Sequence, residues 1–230
     1  MKLHTQLLVA SILTAAVGAA YAGPTAELTV TGTIVAPACN IVLSSDGKAD
    51  FGDIARGTLS ATASTALGSR AITADVTCDA MTAIAIKTTD NRPTQKPAGN
   101  MNVKFENIVP ATASLPTANI YGLGVSSNSK PIGGYAIRVG GIKVNTITMP
   151  NVGLSPTGLA SSWTNQGASA NLSQTNAFMM GSTTSGMPYA NGDTFSFPMD
   201  VAASIDLSGN IPGTEDVSLD GSATLEVVYL

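Results

Sequence analysis

The stretch Ala26 to Ala36, Ala-Glu-Leu-Thr-Val-Thr-Gly-Thr-Ile-Val-Ala, alternates between apolar and polar residues. Leu28, Val30 and Ile34 fall on one face of an extended strand, with Gly32 in register between them, because strand side chains alternate faces. A glycine inside a strand gives up side-chain packing and often marks close approach of another backbone. The pattern therefore predicts an amphipathic strand. Its simplest interpretation is the first edge strand of a β-sandwich.

The residues before this stretch have the features of a secretory signal. Lys2 precedes an apolar run from Leu7 to Ala20, and Ala20-Tyr21-Ala22 has the small-x-small pattern of a signal peptidase site. We expect residues 1–22 to be removed, so that the mature chain begins at Gly23. No later run reaches the roughly 20 apolar residues that a membrane-spanning helix needs. The sequence therefore predicts an exported product that is not held in the inner membrane.

The composition argues against nucleic-acid binding and against catalysis. The formal net charge is −4 and only 11% of residues are charged, against about 25% in an average soluble protein. The only histidine, His4, lies in the predicted signal, so no Ser-His-Asp triad or Cys-His pair remains. Acidic pairs such as Asp50 with Asp53, or Glu215 with Asp216, lie in turn contexts typical of solvated loops. We expect no enzyme activity, no cofactor and no metal site.

The two cysteines, Cys39 and Cys78, both lie in the predicted mature chain. An even pair in an exported protein favours a disulfide, because the compartment is oxidising. The alternative is two buried thiols. A bond between them would contribute about 4 kcal/mol by restricting the unfolded chain.

Short alternating runs bounded by turn residues predict further strands. These runs are Pro37–Leu43, Ile72–Cys78, Ala83–Thr88, Asn119–Val125, Tyr135–Val139, Ile142–Met149, Phe195–Ile205 and Ser222–Leu230. Asp46-Gly47 predicts a two-residue hairpin with Lys48–Gly52 as its return arm, and Gly133-Gly134 and Gly140-Gly141 predict turns or bulges. No stretch has a sustained helical period. The sequence therefore predicts one all-β domain.

Ser155 to Asp193 differs from the rest because it is dense in Ser, Thr, Asn and Gly. This composition predicts a long decorated hairpin or loop. The region contains Trp163, Phe178, Met179 and Met180. Two interpretations follow, a receptor-binding patch and a small satellite core beneath a long loop.

The last predicted strand has a clear apolar face. Its residues are Ala223, Leu225, Val227 and Tyr229. Thr224 and Glu226 fall on the opposite face, and the chain stops at Leu230. We expect the Leu230 carboxylate to lie at a fixed place, because a terminal strand within a sheet is held by its ladder.

Together these features resemble the pilins of the chaperone-usher pathway in Gram-negative bacteria. The resemblance covers Leu28 to Cys39, where pilins have an alternating strand, a glycine and then a cysteine. It also covers Phe51-Gly52-Asp53-Ile54, the second cysteine on the next long strand, and the penultimate aromatic Tyr229. A subgroup of fimbrial-like periplasmic proteins, carried under an unknown-function label, is more similar still. It shares Glu27-Leu-Thr-Val, Asp90-Asn91-Arg92, Tyr121-Gly-Leu-Gly124 and Leu219-Asp-Gly.

This resemblance implies an incomplete immunoglobulin-like sandwich that lacks its last strand. The implied organisation is a donor-like strand at residues 23–36 and one pilin-like domain at residues 37–230. An insertion at about residues 100–193 would account for a length near twice the roughly 100 residues of a minimal sandwich. One departure from the pilin pattern is Val217, which stands where pilins often have a glycine.

The resemblance also implies a function, a fimbrial subunit assembled by donor-strand exchange, with a possible part in adhesion. Its partners would be a periplasmic pilus chaperone, an outer-membrane usher and neighbouring subunits, as the protein passes from the periplasm to a cell-surface fimbrium. Leu28, Val30, Gly32 and Ile34 would form the donated strand. The residues at the groove or chaperone contact would be Leu225, Val227, Tyr229 and Leu230. The alternative is a soluble periplasmic monomer that fills its own groove and binds or senses a ligand.

Overall fold

The structure is a computed structural model that describes residues 23–158, 162–174, 177–182, 190–211, 213 and 216–230. The predicted signal, residues 1–22, lies outside the described residues. The chain divides into an N-terminal segment that ends at Val35 and a second unit, Ala36–Leu230, here called the sandwich. Among the residues described, no helix is long and apolar enough to span a membrane.

The regular structure of the sandwich is β-strand with four described short 3-10 turns. The strands are β1 Cys39–Leu43, β2 Thr65–Thr82, β3 Ile84–Asp90, β4 Met101–Phe105, β5 Ala111–Leu115, β6 Tyr121–Gly122, β7 Gly133–Gly140, β8 Lys143–Val144, β9 Ile147–Thr148, β10 Asn151–Ser155, β11 Thr164–Asn165, β12 Ser169–Asn171, β13 Ala177–Ser182, β14 Gly192–Ile205 and β15 Ala223–Tyr229. The 3-10 turns are Ser44–Gly47, Arg56–Thr58, Thr117–Asn119 and Ser208–Asn210. The all-β prediction is confirmed.

Two antiparallel sheets form the layers of an immunoglobulin-like sandwich. The first has the order β1-β2-β14-β7-β12, with β6 paired to β7 and the β8–β9 hairpin paired to β14. The second has the order β11-β10-β13-β3-β15. The chain passes from the first sheet to the second at Ala83, the one residue between β2 and β3. Both ends of the second sheet, and β1 in the first, are therefore edges.

Apolar residues at alternate positions fill the space between the sheets. On β2, Ile72, Ala74, Val76 and Cys78 are buried, while Asp75 and Thr77 between them are exposed. This alternation confirms the predicted strand Ile72–Cys78 and gives it the predicted inward face. The largest fully buried side chains of this core are Tyr121, Phe197, Ile86, Ile132, Ile142, Leu172 and Met179.

The predicted disulfide is confirmed. Cys39 lies directly opposite Cys78 in the β1–β2 ladder, and the two sulfur atoms are bonded. The predicted hairpin at Asp46-Gly47 is wrong, because among the described residues β1 pairs only with β2. Asp46-Gly47 closes a 3-10 turn instead, and Lys48–Gly52 contains no strand.

Gly133 and Gly134 form neither the predicted turn nor a bulge, because both lie within β7, whose ladder with β14 keeps its register there. A Cβ on Gly133 would lie 2.2 Å from the Ser204 carbonyl oxygen, and one on Gly134 would lie 2.3 Å from Cγ2 of Ile120. Neighbouring strands therefore approach this part of β7 too closely for any side chain. The predicted turn after β7 is present, since Gly141 has a φ of +64°.

Two strand predictions and one prediction of a long hairpin or loop were wrong in extent or kind. Asn119–Val125 contains only the two-residue β6, and Ile142–Met149 is a turn at Asn145 between β8 and β9. The described residues of Ser155 to Asp193 do not form one long decorated hairpin or loop, because β13 from this region pairs with both β3 and β10 inside the second sheet. Its serine- and asparagine-rich composition concealed the buried run Met179-Met180.

The hairpin β4–β5 adds a third layer outside the first sheet and has its own apolar cluster. The cluster contains Met101, Val103, Phe105, Leu115, Ile120, Ala136 and Ala202. Asp200 of β14 is buried at this hairpin. Its carboxylate accepts hydrogen bonds from the backbone N–H groups of Glu106, Asn107 and Ile108 at 3.1, 2.9 and 3.2 Å. Burial raises the pKa of Asp200, but hydrogen bonds from Ser69 and Asn107 outweigh it and hold the pKa below its usual value.

Asp200→Asn is expected to lower the free energy of unfolding by about 1–3 kcal/mol near neutral pH, because charge-assisted hydrogen bonds are replaced by weaker ones. A depressed folded-state pKa gives a contribution that is present above the unfolded pKa of about 3.9 and is lost as pH falls through the folded value. Denaturant unfolding at neutral pH and near pH 3 measures the difference between wild type and variant. The difference in the free energy of unfolding should be smaller near pH 3 than at neutral pH. An equal difference at both pH values would contradict a stabilising role for the ionised Asp200 carboxylate.

Candidate functional site: an open groove between two edge strands

One side of the sandwich is open between β1 and β15. Each of these strands ends its sheet and pairs with one neighbour only, among the residues the structure describes. The two strands meet at one end, where the backbone N–H of Cys39 donates a hydrogen bond to the Tyr229 hydroxyl at 3.0 Å. On the opposite side, β10 of the second sheet contacts β12 of the first. The open side is the place where the last strand of a complete sandwich would lie.

A groove of about 1090 Å³ follows this opening. Most of the residues that line it also belong to, or pack against, the main hydrophobic core. The apolar lining residues are Leu43, Ala49, Phe51, Ile54, Leu59, Ile72, Leu123, Ile132, Tyr135, Ile137, Met199, Val201, Ile205, Ile211, Val217, Leu219, Ala223 and Leu225. Several of them are only half-buried, although they pack on the core cluster. A second apolar row inserted here would complete their burial.

The strand β15 forms one wall of the groove. Leu225 lines the groove and Val227 packs on the core, both half-buried, while Thr224 and Glu226 point to solvent. Leu230 donates its backbone N–H to the Ala83 carbonyl at 3.1 Å. The alternation predicted for the last strand is therefore present from Ala223 to Val227. Tyr229, predicted on the same face, is 45% exposed.

The floor of the groove includes Tyr135, whose ring stacks on the fully buried Tyr121, a residue outside the groove lining. The rings of Tyr121 and Tyr135 are stacked with their centroids 5.2 Å apart, and the Tyr121 hydroxyl lies 2.9 Å from Oγ1 of Thr88. Burial raises the pKa of Tyr121 to about 12 and raises the pKa of Tyr135 as well. Both phenols are therefore neutral near neutral pH, which keeps the floor free of charge.

Charged residues lie on the rim and not on the floor. Lys48, Asp50, Asp53, Arg56 and Asp216 all border the groove. In the described part of the chain, no group of three or more His, Cys, Asp or Glu is arranged to hold a metal ion. The rim therefore offers scattered charges of both signs around an apolar channel.

The sequence motifs shared with the unknown-function subgroup meet at the start of β15. The Asp90 carboxylate accepts a hydrogen bond from the Gly122 backbone N–H at 3.0 Å. Arg92 forms an ion pair with the Asp220 carboxylate, and its Nε–H donates a hydrogen bond to the Asp220 backbone carbonyl at 3.0 Å. The backbone N–H of Asp220 donates to the Leu123 carbonyl at 2.9 Å. Asp90-Asn91-Arg92, Tyr121-Gly-Leu-Gly124 and Leu219-Asp-Gly thus form one network at this end of the groove.

The proposed receptor patch is not exposed as a unit. Met179 and Met180 are buried in β13, with exposed fractions of 0% and 2%, and Met179 belongs to the main core. Phe178 is half-buried and has the Lys87 ammonium 5.6 Å from its ring centre, while Trp163 is half-buried beside β11. Core packing therefore accounts for both methionines, and they cannot form a receptor surface.

The N-terminal segment carries the apolar alternation but forms no strand. Residues 23–38 have no strand assignment, so the reading of Ala26–Ala36 as the first edge strand of this chain's own sheet is wrong. Leu28 and Val30 are 90% and 88% exposed, and Ile34 is fully exposed. A strand needs a ladder partner for its backbone, and the first residue with one here is Cys39. The segment therefore presents an unburied apolar row.

A family match covers part of the chain. Residues 28–136 match the family described as "Protein of unknown function (DUF1120)". The chain is also 28% identical over 213 residues to "Uncharacterized protein YhcF" of Escherichia coli (strain K12), across 86% of this chain and 87% of that protein. It is 28% identical over 226 residues to "Protein GltF" of the same organism, across 89% and 88%. No solved structure matches the chain. These similarities are consistent with a protein of a Gram-negative bacterium.

Sequence reasoning missed the second wall of the groove. Residues 48–59, here called the wall segment, contain no strand, yet Ala49, Phe51, Ile54 and Leu59 pack half-buried against the core. The available signal was the motif Phe51-Gly52-Asp53-Ile54, which resembles pilins. The motif identified apolar residues in this segment, but it did not show that they line one side of the groove.

Proposed function

We propose that this protein is a structural fimbrial subunit whose groove is filled by a strand from another chain. A periplasmic chaperone would supply that strand first, and the N-terminal segment of a neighbouring subunit would replace it at an outer-membrane usher. The observation that carries this proposal is the groove between β1 and β15, together with an exposed apolar row on the N-terminal segment. The protein would thus act by assembly at the cell surface and not by catalysis.

The dimensions of the two parts support this proposal. The apolar row from Leu28 to Ile34 spans seven residues, and β15 also has seven residues. Burial of Leu28, Val30 and Ile34 in the groove would contribute roughly 4 to 9 kcal/mol. The added ladder would also satisfy the free edge of β15, which is otherwise a template for uncontrolled association.

Periplasmic expression of the mature chain, from Gly23 onward, with and without a pilus chaperone tests the proposal. We expect chaperone-dependent solubility, followed by SDS-resistant ladders of subunits once the chaperone is displaced. Deletion of residues 23–33 should remove the ladders and leave the chaperone complex intact. A stable monomer that needs no chaperone and gives no ladders would contradict the proposal and favour a self-filled periplasmic protein.

A further inference from the structure

The two walls of the groove differ in how they are supported. β15 is held to β3 by a ladder of seven residue pairs. The wall segment has no ladder in the part of the chain that the structure describes. Side-chain contacts must therefore hold it in place, and the width of the groove depends on them.

Two arginines make such contacts. Arg56 of the wall segment donates Nη1–H to the Ile211 carbonyl at 2.6 Å, and Arg70 of β2 reaches the segment from the sheet. The Arg70 Nε donates a hydrogen bond to the Asp50 carbonyl at 2.6 Å, and the Arg70 guanidinium carbon lies 4.7 Å from the centre of the Phe51 ring. A second nitrogen, Nη1, donates to the Ser69 carbonyl at 3.0 Å, which fixes the plane of the guanidinium. One side chain thus binds both the backbone and a ring of the wall segment.

The place of Arg70 in its strand is also informative. In the ladder with β14, Arg70 lies opposite Val201, and Ile72 lies opposite Met199. Val201 and Met199 line the groove. Since alternate residues share a face, Arg70 continues the inward-facing row of β2 at the groove. A charge at the end of an apolar row costs solvation unless it is paired, and here the Asp50 carbonyl and the Phe51 ring supply the partners.

We propose that Arg70 is a positioning residue that holds Phe51 and Asp50 so that the groove retains the width of one β-strand. This inference rests on the proposed function, in which the occupant is the segment Ala26–Ala36 of a second copy. Arg70 need not touch the inserted strand. It acts through Phe51, which lines the groove.

The test uses the mature chain with Gly32→Arg, so that its own segment does not fill the groove, and a fluorescent synthetic peptide of Ala26–Ala36. Fluorescence anisotropy gives the rates of peptide association and dissociation. In this background, Arg70→Gln should raise the dissociation rate by about tenfold or more, since a cation–ring contact and a charge-assisted hydrogen bond are lost. The association rate should change little, and the unfolding midpoint of the free chain should fall by no more than the loss of these two contacts explains.

Two further variants separate positioning from general stability. Arg70→Lys should recover part of the slow dissociation, because an ammonium can still face the ring and donate to the carbonyl. In a Phe51→Leu background, Arg70→Gln should have a smaller effect than in wild type, because one of its two contacts is already missing. Lys130→Gln, an exposed change away from the groove lining, is the charge-matched control.

The outcomes are distinct. If the parent chain binds the peptide and Arg70→Gln dissociates at the same rate, the role of Arg70 is overturned while the proposed function stands. If Arg70→Gln does not fold, the peptide dissociation rates of Arg70→Lys and Phe51→Leu are compared with that of the parent chain. Rates equal to the parent's in both variants overturn the inference. If the parent chain does not bind the peptide, the proposed function and this inference both fail.

Discussion

Gly32→Arg is expected to abolish SDS-resistant ladders of the mature chain while leaving the fold of each subunit unchanged. In this structure no atom lies within 4 Å of where a Cβ on Gly32 would be, so the backbone of the segment itself has room for a side chain here. In an inserted strand, Gly32 shares its face with Leu28, Val30 and Ile34, so the arginine would enter the apolar groove. Burial of an unpaired charge costs several kcal/mol, comparable to the whole gain of roughly 4 to 9 kcal/mol from the three apolar side chains.

Thr31→Arg is the matched control for this variant. It adds the same side chain one residue earlier, on the opposite face of the strand, where it would remain in solvent. Denaturing gels of heated and unheated samples should show ladders for wild type and Thr31→Arg and none for Gly32→Arg. Ladders that persist in Gly32→Arg would argue against insertion of this face into the groove.

Loss of the disulfide is expected to have the second largest effect. The bond closes a loop of 39 residues, which corresponds to about 4 kcal/mol in the chain-entropy model. That is a large share of the roughly 5–15 kcal/mol by which a domain is usually stable. The bond also fixes β1, which has only five ladder pairs with β2 and forms one edge of the groove.

The double variant Cys39→Ser, Cys78→Ser should therefore unfold at a much lower denaturant concentration than the oxidised wild type. Reduced wild type should match the variant, and reductant should not shift the variant at all. Guanidinium titrations followed by circular dichroism give the three midpoints. If the free energies of unfolding of oxidised wild type and the variant differ by less than about 1 kcal/mol, other contacts must already restrict the loop in the unfolded chain.

Much of the fold was readable because local alternation and burial agree along β2, β14 and β15. The apolar row on Ile72, Ala74 and Val76 needs no knowledge of distant residues, and two cysteines in a chain with a predicted secretory signal allow only one disulfide. The region of residues 155–193 was misread because β13 is buried on both faces, and composition alone did not reveal its two neighbours. Gly133 and Gly134 were misread as a turn because only the packed structure shows how close their neighbours come.

The candidate site was predictable on one side only. Leu225 and Val227 follow from the alternation of the last strand, and Leu28 to Ile34 from that of the first stretch. The contact of Arg70 with Phe51 joins two segments that are separate in sequence, so the periodicity of neither segment predicts it. Asp200 was missed for the same reason, since its partners at residues 106–108 are more than ninety positions away.

Disulfide trapping between two differently marked copies tests the central claim most directly. One copy carries Val30→Cys, and the other carries Leu225→Cys or Val227→Cys, so any new bond must join two chains. The account predicts a covalent dimer that forms during assembly, and no dimer when Thr31→Cys replaces Val30→Cys, because residue 31 faces away from the groove. Absence of the mixed dimer, with an internal bond in a single chain that carries both new cysteines, would show that each copy fills its own groove.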